Sequence, residues 1–396
     1  MSVSTQRSRQ DRAWTRPRTP SGVFVWDLPV RLFHWLLAGA VSTAAITGFF
    51  GPEWWLGVHR IAGYVIAFLI VFRVVWGFAD SRFSRFDSFM FSLSTTIGHL
   101  GGLVRGRASH HLGHNPAGAL MIFALIGVLS GLVISGLIVL GGQENLGILA
   151  AFVSFRTGSG AVAVHEILAI FLLVLIAGHL AGVLAESLLS RENLARAMVT
   201  GRKRGEPGAA SLPQPQGSML VRAGMVGVGI LLVGTAISGP LLSLAPSGYV
   251  AMAANPVYAS ECGDCHIAYH PGLLPASSWK KLMAGLDNHF GEDASLDADT
   301  AGNIAKYLQR YSSEHWDSEA ANNLRRVSPT DPLRITASPY WQRRHKAISQ
   351  AVFRQKNIAS RANCAACHSD AASGHFDDEN IAIPAPARAS LTNPND

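Results

Sequence analysis

Residues 161–189 read AVAVHEILAIFLLVLIAGHLAGVLAESLL, a run longer than the ~20 residues an apolar helix needs to cross a bilayer. Two histidines, His165 and His179, interrupt it. An ionisable side chain inside a span is costly and marks function by default. The two lie fourteen residues apart, close to four helical turns, so both project from one face. Their separation along the axis is ~21 Å, which sets one near each membrane surface.

Working outward, four more apolar stretches are long enough to span: Leu32–Phe50, Leu56–Phe78, Pro116–Leu140 and Met219–Ala245. Lys and Arg orient them. Six stand in the N-terminal segment up to Arg31, four in 79–115 and six in 190–222, against Arg60 and Arg156 alone in the short loops 51–60 and 142–160. The N-terminus is expected in the cytoplasm, and five spans carry the C-terminal part outside. The fifth span also reads as a signal sequence ending at Ala251-Met252-Ala253, but its apolar run is long and favours a retained anchor. Two further histidines then enter the bundle. His34 opens span one on the inner side with His179, and His59 opens span two on the outer side with His165. Each pair is expected to sandwich one haem b.

The chain has four cysteines, all within Cys262-Gly-Asp-Cys265-His266 and Cys364-Ala-Ala-Cys367-His368. Cys-x-x-Cys-His attaches a c-type haem: two thioethers hold the porphyrin and the histidine ligates iron from one face. Such haems are attached outside the bacterial inner membrane, in agreement with the charge-based topology. With every cysteine used, disulfides are not expected. Each iron needs a sixth ligand, His or Met. Met283 alone cannot serve two haems, so bis-histidine ligation is favoured, from among His270, His289, His315, His345 and His375.

Composition fits this division. Of 396 residues, 48% are apolar and 15% charged, and the net charge of +7 is carried by residues 1–254, with 19 Lys/Arg against 10 Asp/Glu. Residues 255–396 carry 14 against 16. The basic excess thus belongs to membrane topology, and no Arg-aromatic surface for nucleic acid is evident. The expected organisation is a disordered basic segment 1–21, a transmembrane haem b domain 22–200, a cytoplasmic linker 201–218, a fifth helix 219–245 and a periplasmic dihaem c domain 255–396. The last is read as mostly helical and loop-rich, with helices over Thr300–Tyr311 and Tyr340–Phe353. His99, His110, His111 and His114 are assigned to solvated loop or capping roles. Arg31, Arg60 and Arg73 lie near span ends, suited to haem propionates or to lipid headgroups.

Val25-Trp26-Asp27-Leu28-Pro29-Val30-Arg31-Leu32-Phe33-His34-Trp35 resembles the entry to span one of the bacterial cytochrome b561 and nickel-iron-hydrogenase cytochrome b family. The stretches His59-Arg60-Ile61-Ala62-Gly63-Tyr64, Phe72-Arg73, Trp76-Gly77 and His114-Asn115-Pro116 with Gly118 continue the resemblance over residues 22–200. It implies an all-α four-helix bundle with two bis-histidine haems b that exchanges electrons with quinone. Residues 258–384 resemble the dihaem cytochromes c, through Gly272-Leu273-Leu274-Pro275-Ala276, Gly285-Leu286-Asp287-Asn288-His289-Phe290-Gly291-Glu292, Tyr340-Trp341 with His345, and the two Cys-x-x-Cys-His motifs. That resemblance implies His289 and His345 as distal ligands, with His289 nearer the first motif and His345 nearer the second. It also implies a small soluble monohaem cytochrome as partner. His270, His315 and His375 are read as surface histidines.

The resulting expectation is an electron carrier of the bacterial inner membrane with two haems b and two haems c. It would pass electrons from quinol to a soluble periplasmic cytochrome c-type acceptor, and its enzymatic form would be a quinol:cytochrome c oxidoreductase. No nucleophile, nucleotide loop or catalytic metal cluster is visible. Glu144 and Glu166, at the outer end, are the candidate proton acceptors for a quinone. The alternatives are reverse flow from a periplasmic dehydrogenase to quinone, and an anchor subunit of a larger respiratory complex. A homodimer is a further option.

Overall fold

The computed structural model describes residues 23–79, 85–105, 115–203 and 216–384. Within them five helices are long and apolar enough to cross a membrane: α1 (Leu28–Phe50), α2 (Leu56–Ala79), α4 (Pro116–Gln143), α5 (Phe155–Ser190) and α7 (Gln216–Leu242). A shorter helix, α3 (Leu93–Val104), lies in the connection after α2 and was not expected from the sequence. The expected segment 1–21, His110, His111 and His114, and much of the 201–218 linker, lie outside the described residues.

The long helices begin where side chains replace missing backbone partners. Asp27 Oδ1 accepts from Val30 N (2.8 Å), so α1 starts at Leu28, four residues before the apolar run that suggested Leu32. Asn115 Oδ1 accepts from Gly118 N (2.7 Å) at the start of α4. Inside the spans, hydroxyls bond back to carbonyls four residues earlier. Ser42 reaches Ala38 O at 2.8 Å and Ser130 reaches Ile126 O at 2.7 Å. In hydrocarbon every polar group needs such an internal partner. Outward side chains such as Leu180, Leu184 and Leu232 are more than half exposed, as lipid-facing residues should be.

The chain separates into two compact units. The first takes residues 1–35, 72–124 and 174–227. In it a two-stranded antiparallel ribbon, β1 (Val23–Phe24) with β2 (Arg202–Lys203), precedes α1 and follows the short helix α6 (Leu194–Thr200). Val25 N and Trp26 N both donate to Gly201 O. Arg31 donates to the carbonyls of Met198 and Val199, at the free end of α6. Arg73 is buried over the Phe86 ring, 4.7 Å from its centroid.

The second unit takes residues 36–71, 125–173 and 228–396. Beyond α7 it is built from short helices in two lobes. Tyr258, Leu274, Trp279, Ile304 and Leu308 form the first core, between α8 (Pro256–Glu261), α9 (Ala276–Met283) and α10 (Ala298–Arg310). Trp341, Val352, Phe353 and Ile358 form the second. Between them in sequence lies α11 (Glu319–Leu324). The helix expected over Tyr340–Phe353 is two, α12 (Pro339–Arg344) and α13 (Gln350–Phe353). The break falls at His345, whose backbone N and ring Nδ1 both engage Trp341 O, at 3.0 and 2.9 Å.

Gly201 closes α6 in the left-handed region (φ 80°), and a Cβ there would lie 2.8 Å from Trp26 O. Gly201→Ala is expected to cost about 1–2 kcal/mol. The check is faster amide exchange in 23–26 and 197–203 with the spans unaffected.

Candidate functional site: four facing histidine pairs

An imidazole–metal bond is about 2 Å long, so two imidazoles on opposite faces of one ion have ring centres about 6 Å apart. Four histidine pairs meet that separation. In the first unit His34 of α1 faces His179 of α5, with centroids 6.5 Å apart. In the second, His59 of α2 faces His165 of α5 at 6.2 Å. In the C-terminal lobes His266 faces His289 at 6.2 Å, and His345 faces His368 at 6.2 Å. Among the described residues no cluster of three or more His, Cys, Asp or Glu is arranged to hold a bare ion. Two axial donors per site suit an iron whose other four ligands come from a porphyrin.

In four of the eight rings a bond at Nδ1 fixes the orientation, whereas Nδ1 of His34 and of His368 is buried without a hydrogen-bond partner among the described residues. His59 Nδ1 meets Thr47 Oγ1 and Ala44 O, each at 3.1 Å, and His165 Nδ1 meets Ser135 Oγ at 2.9 Å. His266 Nδ1 donates to Ile267 O at 2.8 Å, and His345 Nδ1 to Trp341 O at 2.9 Å. A hydrogen bond at Nδ1 leaves Nε2 as the ligating nitrogen and holds the ring plane. Glycines make room beside the His59 and His165 rings. A Cβ on Gly48 would stand 3.1 Å from His59, and one on Gly136 3.2 Å from His165. Paired imidazoles of this kind could hold a porphyrin-bound iron, in the helices and in the lobes alike.

Each Cys-x-x-Cys-His motif sits on the edge of one small core. Cys262 caps α8 and packs on the first core, and Cys367 packs on the second. In the second motif Cys367 N and His368 N both donate to Cys364 O, at 3.1 and 2.9 Å, which closes the motif into a tight turn. Burial pushes the Cys364 thiol up to about 11 and raises Cys262 and Cys367. Burial also lowers His368 to about 4, with His345 adding to the shift, so it stands neutral with a lone pair to give. Trp341 stacks on His345 (4.3 Å, 11°) and clamps its ring. Beside His289 lies a cavity of about 330 Å³ bounded by Leu282, Phe290, Leu333 and Arg334.

Some of the other candidates depart from expectation. His270, read as a surface residue, is 5% exposed. Its Nδ1 accepts from Gly272 N (3.1 Å), and its ring packs edge-on to Trp316 at 4.6 Å. A ring wedged there supports the lobe. His315 is exposed and His375 half-buried. His99, expected to be solvated, is half-buried on α3. Of the three arginines, Arg60 pairs with Glu379 at 2.9 Å. Glu166 is exposed, whereas Glu144 is buried and accepts from Asp378 N at 3.1 Å. Sequence reasoning missed Thr47, Ser135 and Trp341, which support ligand candidates 12, 30 and 4 residues away.

Residues 25–201 match the prokaryotic cytochrome b561 family, and residues 258–376 match the dihaem cytochrome c family. The chain joins a prokaryotic cytochrome b561 to a dihaem cytochrome c. Its b561 part is 23% identical over 210 residues to a probable Ni/Fe-hydrogenase 1 B-type cytochrome subunit of Escherichia coli (strain K12), covering 45% of this chain and 89% of that one. The corresponding subunit of Cupriavidus necator is 23% identical over 208 residues, covering 45% and 85%. A diheme cytochrome c from Rhodobacter sphaeroides is 42% identical, covering 32% of this chain and 98% of that one, with a TM-score of 0.28. This is an electron-transfer cytochrome of the membrane, its first family a binder of haem b and its second of haem c.

Glu144 supplies a pH test. Burial, followed by the Asp378, Glu319 and Asp377 carboxylates, raises its carboxyl from 4.5 to about 8, with Asp378 N opposing. Arg344 and Glu53 complete the charges around Asp378. Asp377 shifts the same way, to about 7. A raised folded value means that the native state keeps a proton the unfolded chain loses near pH 4.5. The stabilisation is complete below that and lost as pH rises through about 8, a change of a few kcal/mol. Glu144→Gln is expected to flatten that fall in a series of thermal melts from pH 5 to 9.

Proposed function

We propose that the chain is a four-haem conduit between the quinone pool and a soluble redox protein outside the cytoplasmic membrane. His34 with His179, and His59 with His165, hold two haems b. His266 with His289, and His345 with His368, hold two haems c, the latter bound through Cys262, Cys265, Cys364 and Cys367. The observation that carries this reading is the common 6.2–6.5 Å spacing of all four imidazole pairs. Each haem supplies one iron that alternates between ferric and ferrous, one electron at a time.

The domain boundaries follow the same reading: a haem b bundle over 22–200, an inner linker, a fifth span, and a haem c domain from 255. The inner face carries sixteen Lys and Arg (six, four and six in its three segments) and the short outer loops two, which supports a cytoplasmic N-terminus and a periplasmic haem c domain. Oxidation of one quinol yields quinone, two protons and two electrons, so two single-electron transfers follow. The acceptor is a small soluble c-type cytochrome. A second reading reverses the flow, from a periplasmic dehydrogenase to quinone. The similarity to probable hydrogenase B-type cytochrome subunits supports it, and a place in a larger respiratory complex goes with it.

Anaerobic ubiquinol or menaquinol is expected to reduce the b absorption band and then the c band of the purified protein. Bands that stay oxidised with quinol, yet reduce with dithionite, would favour the reverse flow. His165→Ala is expected to remove one of two haems b by pyridine haemochrome assay and leave both haems c attached. An unchanged b content would sink the pairing.

A further inference from the structure

The second unit ties the C-terminal lobes to the ends of the membrane helices through residues beside the proposed ligands. Arg60, next to His59, donates Nη2 to both carboxylate oxygens of Glu379, at 3.2 and 2.9 Å. Arg344, next to His345, donates to Glu53 Oε1 at 2.8 Å and to Asp378 Oδ1 at 2.5 Å. Glu53 belongs to the turn Glu53–Trp55 that leads into α2. Glu144, after α4, accepts from Asp378 N, and Phe155 N at the start of α5 donates to Asp317 Oδ2 at 3.1 Å. Ser247 N reaches Ala150 O at 2.7 Å.

The acidic segment is in turn fastened to the second Cys-x-x-Cys-His. Ala382 N donates to Cys367 O at 2.7 Å and Ser369 N to Asn380 O at 3.2 Å, with His368 opposite Ile381 in an antiparallel bridge. One continuous set of bonds therefore runs from the residue beside His59 to the backbone of Cys367 and His368. The first motif is reached differently. Tyr269 lies against the His266 ring (5.0 Å, 36°), and its hydroxyl donates to Ala362 O at 2.7 Å, two residues before Cys364. Beside His289, Phe290 stands 50% exposed on the surface of the first lobe.

We infer that the His345–His368 site is the fixed junction with the His59–His165 site, held by Arg60 and Arg344 as positioning residues, and that the His266–His289 site is the outer port where a soluble redox protein docks. This rests on the four-site reading above. The pairs are partly exposed, at 31% and 26% for Arg60–Glu379 and 30% and 17% for Arg344–Asp378. Singly such pairs add little energy, but a shared network fixes orientation.

The test uses the full chain with all four haems bound and a photogenerated soluble reductant, so its result does not depend on whether quinol is the natural donor. The b and c bands are followed separately after the flash, and cleavage by protease within 243–255 is followed in parallel. Arg60→Glu is expected to slow the passage between b and c bands at least tenfold and to speed cleavage, with the dithionite-reduced spectrum unchanged. Arg60→Glu with Glu379→Arg restores both. Unchanged rates in the single variant, or no rescue in the double, would overturn the lock.

A second pair of variants separates junction from port. Cys364→Ala with Cys367→Ala should leave the remaining c band at least tenfold slower to follow the b band. Cys262→Ala with Cys265→Ala should keep the remaining c band following the b band but abolish delivery to a soluble cytochrome c. The opposite pattern, or equal effects, overturns the assignment. Failure of the four-site reading would show instead as fewer than two b and two c haems in the parent protein.

Discussion

One geometric constraint runs through this molecule: four pairs of imidazoles face each other with ring centres 6.2–6.5 Å apart. In the membrane the constraint is severe, because a ring that misses its partner is a polar group stranded among apolar side chains. α5 carries a member of two pairs, His165 and His179, and so dictates which helices lie beside it. α1 must bring His34 to one, and α2 must bring His59 to the other. The supporting contacts serve the same end. Thr47 and Ser135 also bond carbonyls within their own helices, so the hydroxyls that orient His59 and His165 are themselves fixed.

In the C-terminal lobes the same spacing is reached without long helices. The two cores have five and four buried apolar residues, with a small third cluster of Leu273, Ala320 and Leu324. On the four-haem reading proposed above, a haem bound at each lobe would do part of what a larger core would do. The aromatic clamps fit that view. Trp341 fixes His345 by stacking and by its carbonyl, and Phe376 meets His368 edge-on at 5.2 Å. Where ligands come from turns and loops, ring packing replaces the rigidity that a helix gives.

The architecture was legible wherever its cause is local. Apolar runs, the two Cys-x-x-Cys-His motifs and the fourteen-residue spacing of His165 and His179 are properties of short windows, and they pointed to the helices, the family likeness and the histidines that face each other. What could not be read has a non-local cause. The helix expected through His345 ends there because that residue leaves the helical dihedrals (φ −101°, ψ 9°) with its ring held on Trp341, which apolar spacing does not encode. His270 is buried because Trp316 and Gly374 close on it from 46 and 104 positions away. Glu144 and Glu166 look alike in sequence, and only the contact of Glu144 with Asp378, 234 residues distant, sets them apart.

The junction between the two families also explains why weak contacts suffice there. Free partners must repay lost translational and rotational freedom with buried area or strong hot spots. Here α7 and the thirteen residues between Leu242 and Pro256 tether the lobes, so docking is intramolecular and its effective concentration reaches the millimolar range. Affinity is then supplied by connectivity, and the contact itself need only choose an orientation. Half-exposed ion pairs are well suited to making that choice. They contribute little energy but discriminate sharply between faces of the lobe, since a wrong face sets like charges together. Arg60 and Arg344 flank ligand candidates on opposite sides of the junction, so the charges that select the face also fix the register of the two histidine pairs. A contact strong enough to hold free partners would add nothing to this.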